Sequence, residues 1–423
     1  MYGQQSFSPR VTTGWTRGCT FEPAEPLGVT IQKQTTDAGP TVYFGSASWI
    51  TLRGFRLNGL QRQCGHEGRC PYGYSVISES SGTPSSHISI LDNEIDEGMQ
   101  LGGGSMIMLF KAQHWKISGN VLGPSCCGYA ADSSPAGITI GKPTSGPNSC
   151  TTEACNVDID HNVFQYTALR LAIDWPTARW HSSPEPSCRD ATRCHVDSIH
   201  IGGLRGGSVD YNQFLGDECT GIYLESGGFN GNDNRDVDVI GNTWTHFSDH
   251  CDGALYLKCT GAANGCGGTF NIGFNSGNDE MILGTGWAGA EKGTIVNIYG
   301  NYTYLFMADA SGNNAGCMTG TTGQVTVAYQ YNAWLGSMGG GGNTPGPCGA
   351  TDSTNVRTPG WVNPAGAPGV GLDMQLRSKS GRAIGFVPCA SLTIGAGCPI
   401  GTDAFGHEWP QGRANAGADQ APA

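Results

Sequence analysis

The chain has 423 residues, a formal net charge of −12, and 23 lysines and arginines against 35 aspartates and glutamates. The basic residues are few and scattered, which disfavours nucleic acid as a partner. No apolar run approaches the ~20 residues that a membrane-spanning helix needs, so the sequence predicts no membrane span.

A short apolar phrase with a central asparagine recurs along the chain, for example as ILDNEI, IDHNVF and VIGNTW. The intervals between its copies lie in the range that is typical of solenoid repeats. A second, strand-like phrase alternates with it, for example as GITIG, SIHIG and GIYLE, and no helical period recurs between the two. The recurring asparagines are Asn58, Asn93, Asn120, Asn162, Asn212, Asn242, Asn275, Asn301 and Asn332.

Short strands that pair with their counterparts one repeat away predict an all-β fold, a parallel β-helix of roughly ten coils. An asparagine at the same turn of every coil can hydrogen-bond to the next one and form an internal ladder. We attribute the choice of asparagine to the left-handed backbone conformation that this residue tolerates.

The repeats also predict the organisation of the chain. Residues 1–336 are expected to form the solenoid, with disulfide-tied loops on one side that build a binding face. A Gly/Pro-rich tether follows at residues 337–350. Residues 351–423 are expected to form an irregular C-terminal segment that packs on the solenoid or caps its open edge.

Cysteine usage indicates the compartment. The chain has 17 cysteines, and several stand in close pairs. Without histidines at zinc-ligand spacing, such pairs predict disulfides, which persist outside the cytosol. We therefore expect an extracellular protein, whose signal peptide would lie upstream of Met1. The close pairs are Cys64 and Cys70, Cys150 and Cys155, Cys188 and Cys194, Cys259 and Cys266, and Cys389 and Cys398.

Three regions resemble secreted bacterial right-handed parallel β-helix proteins of the pectate-lyase-like superfamily. They are the first coil, with SASWITLRGFRLNG, the repeats of residues 49–335, and the end, with GWVNPAG, LDMQLRSKSGRAIGF and TDAFGHEWPQGRANAGADQ. The resemblance implies a right-handed solenoid. Its members include polysaccharide lyases, glycoside hydrolases, epimerases and phage adhesins, so the resemblance implies no single reaction.

Alignment of the GITIG-like strands of successive coils predicts a stripe of outward-facing residues. Alternation places isoleucines and leucines inside and Thr139, His200, Tyr223 and Tyr256 outside on consecutive coils. One step further along these strands come Glu225 and Lys258. The preceding turns are expected to add His195, Asp197, Asp217, Glu218, Asp249, His250 and Asp252.

This stripe predicts a polysaccharide lyase that acts on an acidic glycan. β-Elimination needs a group that neutralises the sugar carboxylate, a base and an acid. The candidate catalytic residues are Lys258 as base, His200 and Tyr256 as its acid or base partners, and Glu225 and His250. The candidate substrate-binding residues are Tyr223, His195, Arg170, Trp175 and Trp180. The candidate ligands of Ca²⁺, the one cofactor expected, are Asp197, Asp217, Glu218, Asp249 and Asp252.

Two alternatives stay open. A Glu225–Lys258 pair on neighbouring strands could be a surface salt bridge, and the protein a non-catalytic glycan-binding, adhesive or filament-forming solenoid. The acidic residues could instead provide the acid pair of a glycoside hydrolase, whose carboxyl groups lie roughly 5–9 Å apart.

Overall fold

The structure is a computed structural model. It describes residues 5–6, 18–32, 40–58, 76–78, 82–96, 105–123, 136–141, 149–165, 197–217, 220–226, 233–246, 253–259, 265–277, 280–285, 290–303, 305–307, 320–322, 325–334, 356–357, 387–395, 397–403, 407–409 and 413–414. The described residues contain no α-helix and form three long sheets and one small hairpin.

Each coil contributes one strand to each of the three sheets. Sheet I consists of β1 (Gln5–Ser6), β4 (Val42–Gly45), β7 (Val76–Ser78), β10 (Ser105–Phe110), β13 (Ala136–Gly141), β16 (Asp197–Gly202), β19 (Thr220–Ser226), β22 (Gly253–Cys259), β25 (Glu280–Thr285) and β28 (Leu305–Met307). Sheet II consists of β2 (Cys19–Phe21), β5 (Ser48–Arg53), β8 (Ser86–Leu91), β11 (Lys116–Ser118), β14 (Ala154–Asp160), β17 (Leu204–Asp210), β20 (Asn234–Ile240), β23 (Cys266–Gly273), β26 (Thr294–Tyr299), β30 (Val325–Gln330) and β29 (Gly320–Thr322). Sheet III consists of β3 (Thr30–Gln32), β6 (Arg56–Asn58), β9 (Glu94–Asp96), β12 (Val121–Leu122), β15 (Val163–Gln165), β18 (Gln213–Asp217), β21 (Thr243–His246), β24 (Ser276–Gly277), β27 (Tyr302–Thr303), β31 (Ala333–Trp334) and β32 (Val356–Arg357).

The fold is a parallel β-helix, as the sequence predicted. Neighbouring strands of each sheet pair in parallel and come from successive coils, apart from β29, which pairs antiparallel with β30 at the end of sheet II. The predicted inward columns are real: Ile138 pairs with Ile199, and Ile222 pairs with Leu255. Their side chains are fully buried in one continuous core. Inward alternation of apolar residues thus fixes the register of the coils.

The predicted asparagine ladder is present between sheets II and III. The Nδ2 of Asn242 donates to the Oδ1 of Asn275 at 3.0 Å and to the carbonyl of Val209 at 2.7 Å. The backbone N–H of Asn242 donates to the same Asn275 oxygen. The same Nδ2-to-Oδ1 bond joins each successive pair of the eight buried members, Asn93, Asn120, Asn162, Asn212, Asn242, Asn275, Asn301 and Asn332.

Two parts of the prediction about the ladder are wrong. The left-handed backbone belongs to the residue before each asparagine, for example Tyr211 at φ 56° and Phe274 at φ 55°, so asparagine is present for its amide hydrogen bonds. Asn58 is not a member either. It ends β6 in sheet III, and the ladder position of that coil is Phe55, whose N–H donates to the Oδ1 of Asn93.

Near the C-terminus, the described residues contact the solenoid at several points. The strand β32 extends sheet III from inside the predicted C-terminal segment. The side-chain amide of Gln330 donates to Thr393 and its oxygen accepts from the N–H of Thr393. Residues Val387–Pro388 (β33) and Arg413–Ala414 (β34) form an antiparallel hairpin, with a short 3₁₀ turn at Cys389–Ser391.

Three of the predicted disulfides are formed, Cys150–Cys155, Cys259–Cys266 and Cys389–Cys398. The predicted pairs Cys64–Cys70 and Cys188–Cys194 lie outside the described residues. Cys19 is a free, exposed thiol. The observed bonds support an oxidising compartment.

Candidate functional site

The predicted outward stripe exists on the outer face of sheet I. Thr139 pairs with His200, His200 with Tyr223, and Tyr223 with Tyr256, each one coil further along. The rings of Tyr223 and Tyr256 stack at 5.1 Å with an interplanar angle of 3°. Elsewhere in this column, the register positions hold Ser6, Tyr43, Ile77, Met108, Ile282 and Met307. Apart from Tyr43, the ionisable groups at the described positions of the column therefore lie on three central coils.

Four of the predicted residues form a row of alternating charges across these coils. The Asp197 carboxylate lies 3.1 Å from Nδ1 of His200, and Nε2 of the same ring lies 3.5 Å from Glu225. The other oxygen of Glu225 accepts a hydrogen bond from Nζ of Lys258 at 3.0 Å. Side-chain exposure rises along the row, from 0% at Asp197 to 9% at His200, 14% at Glu225 and 28% at Lys258. The row therefore leads from the solenoid wall to the solvent.

The electrostatics favour the charged forms of the two central members, His200 and Glu225. Burial alone would lower the pKa of His200, but the carboxylates of Asp197 and Glu225 on its two sides outweigh burial and raise it to about 9. The His200 ring is the largest cause that lowers the pKa of Glu225 to about 2, against the effect of burial and with help from Lys258. At neutral pH, His200 is thus a cation and Glu225 an anion, so His200 is not available there as a base.

Lys258 is the member of the row that faces outward. Besides Glu225, its Nζ donates to the hydroxyl of Tyr223 at 3.0 Å and lies 5.7 Å from the centre of that ring. The pairing of β22 with β25 shifts register at this residue, because Leu257 pairs with Leu283 but Lys258 pairs with Thr285. The extra residue is Gly284, which forms a β-bulge in β25. Because glycine has no side chain, this bulge adds none beside Lys258.

Two features support this row, and one of them, the Asn234 side chain, was not found from the sequence. The buried side chain of Asn234 joins two of the coils: its Nδ2 donates to the carbonyls of Ile201 and Glu225, and its Oδ1 accepts from the N–H groups of Gly203 and Leu204. The disulfide Cys259–Cys266 starts directly after Lys258 and closes on sheet II. The Asn234 bridge does not recur in the described coils, so periodicity could not have revealed it, whereas the close spacing of Cys259 and Cys266 did predict their disulfide.

The predicted calcium ligands are only partly described. Asp197 was expected in a turn, but it begins β16, and its buried carboxylate faces His200. Its carboxylate is therefore already paired with His200 and lies in a strand, so it does not match the predicted role of a loop residue that binds Ca²⁺. Asp217 ends β18 in sheet III. Within the described ranges, no three acidic, histidine or cysteine side chains are grouped closely enough to hold a metal ion.

Eight other predicted site residues lie outside the described residues, and their roles stay predictions. They are His250 among the catalytic candidates, His195, Arg170, Trp175 and Trp180 among the substrate-binding ones, and Glu218, Asp249 and Asp252 among the metal ligands.

The fold and this face define the class: the protein is a parallel β-helix protein with a row of paired charges on one sheet. Among solved structures, the chain is similar to the crystal structure of pectate lyase Pel9A, with a TM-score of 0.39 and 11% identity over 96% of this chain and 87% of that chain. It is also similar to the PL6 family alginate lyase AlyGC, with a TM-score of 0.30 and 11% identity over 88% of this chain and 53% of that one. The chain thus spans about half the length of the alginate lyase.

Such distant likenesses carry no argument about activity, and the fold assignment rests on the strand pairing of this chain itself. No protein-family model matches the sequence, and no curated protein matches it either. In the part of the chain that the structure describes, no helix has the length and apolar character needed to cross a membrane.

Proposed function

We propose that the protein is a polysaccharide lyase that binds an acidic glycan on the outer face of sheet I and cleaves it by β-elimination. One observation supports the proposal above the others. The ammonium group of Lys258 is held at 3.0 Å from both Glu225 and Tyr223 on a partly exposed face, beside two parallel tyrosine rings. A cation beside aromatic faces suits a sugar that carries a carboxylate.

The geometry favours a different role for Lys258 from the base that the sequence suggested. An amine that takes a proton needs a free electron pair, whereas Lys258 donates to an ionised carboxylate. In the proposal, Lys258 neutralises the carboxylate of the sugar, which makes the neighbouring C–H proton easier to remove. Tyr256, half-buried one coil beyond Tyr223, is the candidate for proton transfer. His200 contacts carboxylates on both sides and positions Glu225.

Calcium would supply a second charge for a sugar carboxylate if the loops hold it. Among the predicted ligands, Asp217, Glu218, Asp249 and Asp252 remain candidates for that role. An acidic wall disfavours a polyanionic glycan unless a cation intervenes, so we expect added Ca²⁺ to strengthen binding. The observed disulfides support action outside the cytosol.

The test separates binding from cleavage. The wild-type protein is incubated with pectate, alginate, glycosaminoglycans and neutral glucans, with and without Ca²⁺, and unsaturated ends are followed by ultraviolet absorbance. We expect product from one acidic glycan. Lys258→Ala should lose binding, Lys258→Arg should keep part of the activity because arginine stays cationic, and Tyr256→Phe should bind without cleaving.

Lys116→Ala is the matched control, because Lys116 forms a lysine–carboxylate pair with Asp160 on sheet II, at 3.4 Å and away from the stripe. It should keep full activity. Absence of product from every glycan would reject the lyase. An inactive Lys258→Arg variant that still binds glycan would return Lys258 to the role of base.

A second candidate function is a non-catalytic glycan-binding surface solenoid. The observation that favours it is the mutual pairing of Asp197, His200, Glu225 and Lys258, which stabilises three coils without a substrate. It predicts retention on an acidic glycan without new chain ends, and a Tyr256→Phe variant that behaves as wild type.

A further inference from the structure

The Glu225 carboxylate has a separate cationic partner for each of its two oxygens. Oε1 accepts from Lys258 at 3.0 Å, and Oε2 lies 3.5 Å from Nε2 of His200. The two partners differ in accessibility. The His200 side chain is 9% exposed and is paired on its inner side with Asp197, whereas 28% of the Lys258 side chain is exposed. An external carboxylate can therefore reach Lys258 but not His200.

The two partners also differ in freedom to move. His200 lies inside β16 with its ring between two carboxylates and 4.9 Å from the Tyr223 ring. Lys258 carries its charge on a flexible four-carbon chain beside the bulge at Gly284. If Lys258 turns toward a ligand, Glu225 keeps its contact with His200. No buried charge is then left unpaired, which removes the main penalty for breaking such a pair.

We propose that Glu225 occupies, in the free protein, the position on Lys258 that a glycan carboxylate takes, and that His200 retains Glu225 once the glycan displaces it. This rests on the binding part of the proposed function and needs no cleavage. It makes Glu225 a specificity-determining residue. A small anion would have to break the Glu225–Lys258 ion pair and would gain only one new contact, so it should bind weakly. An extended acidic glycan would also contact the tyrosine rings, which offsets the loss of the ion pair. A neutral sugar has no group that can replace Glu225.

Charge counting gives the direction of the effect. The row contains two carboxylates, Asp197 and Glu225, and two cations, His200 and Lys258, so its net charge is zero. A bound carboxylate therefore adds a negative charge that no group of the row compensates. Glu225→Gln leaves the row with one net positive charge and frees the ammonium of Lys258. We expect this variant to bind an acidic oligosaccharide about tenfold more tightly. A substitution that merely damaged the structure would weaken binding instead.

The experiment measures the affinity for trigalacturonate and trimannuronate by isothermal titration calorimetry at low salt, with cellotriose as the neutral probe. The matched control is Asp160→Asn on sheet II. Asp160 also lies between a lysine and a histidine, at 3.4 Å from Lys116 and 2.9 Å from His161, and its substitution changes the net charge by the same unit. His200→Gln is the second variant. It should weaken binding several-fold, because Glu225 then has Lys258 as its one remaining partner in the row.

Tighter binding by Glu225→Gln, with Asp160→Asn equal to wild type, supports the inference. Unchanged or weaker binding by Glu225→Gln, in a wild-type protein that binds, overturns the inference and leaves the proposed function standing. An equal gain in Asp160→Asn also overturns it, since net charge alone would then explain the effect. A wild-type protein that binds neither acidic probe nor a glycosaminoglycan oligosaccharide rejects both together. Thermal unfolding of each variant confirms that it is folded.

Discussion

At the scale of single residues, each turn between sheets II and III joins two different requirements at adjacent positions. The first residue needs a left-handed backbone, and Asp92, His161, Tyr211 and Phe274 all meet it, at φ between 53° and 56°, although their side chains share no chemistry. The second residue needs an amide that can donate and accept, which only asparagine and glutamine carry. The repeats therefore carry the same amino acid, asparagine, at the second position. At the first position they share a left-handed backbone conformation, which the amino-acid type does not reveal.

Removal of one ladder amide should be costly. Asn242→Ala deletes the acceptor for the N–H and Nδ2 of Asn212 and the donor to Asn275 in a fully buried row. We expect a loss of about 2–4 kcal/mol in the free energy of unfolding, measured by chemical denaturation. Asn58→Ala, outside the ladder and half-buried, should cost less than about 1 kcal/mol. Equal losses of unfolding free energy for the two variants would show that the ladder hydrogen bonds do not stabilise the fold more than an asparagine outside the ladder.

A partly buried carboxyl group on sheet II should make stability depend on pH. Burial, with the charges of Asp238 and Asp160, raises the pKa of Asp210 from 3.8 to about 8. The folded protein keeps this proton as the pH rises, whereas the unfolded chain releases it near pH 4. Stability therefore falls between these values. Asp210→Asn should be more stable than wild type at pH 8.5, by at least about 1 kcal/mol, and nearly equal to it at pH 4.

Denaturation midpoints at the two pH values measure this effect. The Asn side chain can still accept the N–H of Ile240, which lies 2.9 Å from Oδ1 of Asp210. The exposed Asp92→Asn is the control, and it should gain no stability at pH 8.5 because it gives up the ion pair with Arg53. A gain for Asp210→Asn that does not change with pH would contradict the explanation.

At the scale of strands, the short elements of sheet III fit each other by size. Trp244 in β21 and Gly277 in β24 pair on neighbouring coils, and both are buried. A Cβ on Gly277 would lie 1.6 Å from Nε1 of Trp244, far inside contact distance. The indole thus occupies space that the next coil leaves empty, and glycine is required there for packing.

Gly277→Ala should therefore lower the free energy of unfolding by about 1–3 kcal/mol or more through overpacking. Trp244→Phe removes the part of the ring that clashes, so the double variant should recover part of the loss. The coupling between the two substitutions, read from a double-mutant cycle of denaturation curves, is the measurement. Additive effects of the two substitutions would exclude this contact as the cause.

The strands also show what sequence reasoning could reach. Period-two alternation in GITIG, SIHIG, GIYLE and ALYLK determined the register of sheet I, so the alignment of His200, Tyr223 and Tyr256 was predictable. The burial of Asp197 was not predictable, because the start of β16 depends on pairing with β13 and β19. The Asn234 bridge was not predictable either, since it occurs once among the described residues and satisfies backbone groups that the folded turn leaves without partners in the strands.

At the scale of the whole molecule, the C-terminal residues pack on the turns of distant coils. Trp409, 3% exposed, contacts the rings of Tyr211 and Phe274 at 6.4 and 4.9 Å between centres. These are the aromatic residues at the left-handed position on either side of Gly241. A segment more than 130 positions further along the chain thus packs on the aromatic side chains of two separate coils.

Trp409→Ala should loosen this segment before the solenoid melts. Loss of the indole removes contacts to two coils, so we expect limited proteolysis to cut C-terminal to residue 387 several-fold faster, with a smaller change in the main thermal transition. Glu408→Ala, exposed beside it, is the control and should digest like wild type. Unchanged digestion of Trp409→Ala would mean that the ring does not secure the segment.

The ladder has one further consequence, for how such a molecule can change length. Every amide in it donates in the same direction, from Asn93 towards Asn332, so all its members are interchangeable. A stretch that begins just after one ladder asparagine and ends with the next could be duplicated or excised. Each remaining Nδ2 would still donate to the Oδ1 of the next asparagine, and no buried amide would lose its partner. Growth by whole turns is therefore open to this architecture, whereas insertion of half a turn would break the row of amides.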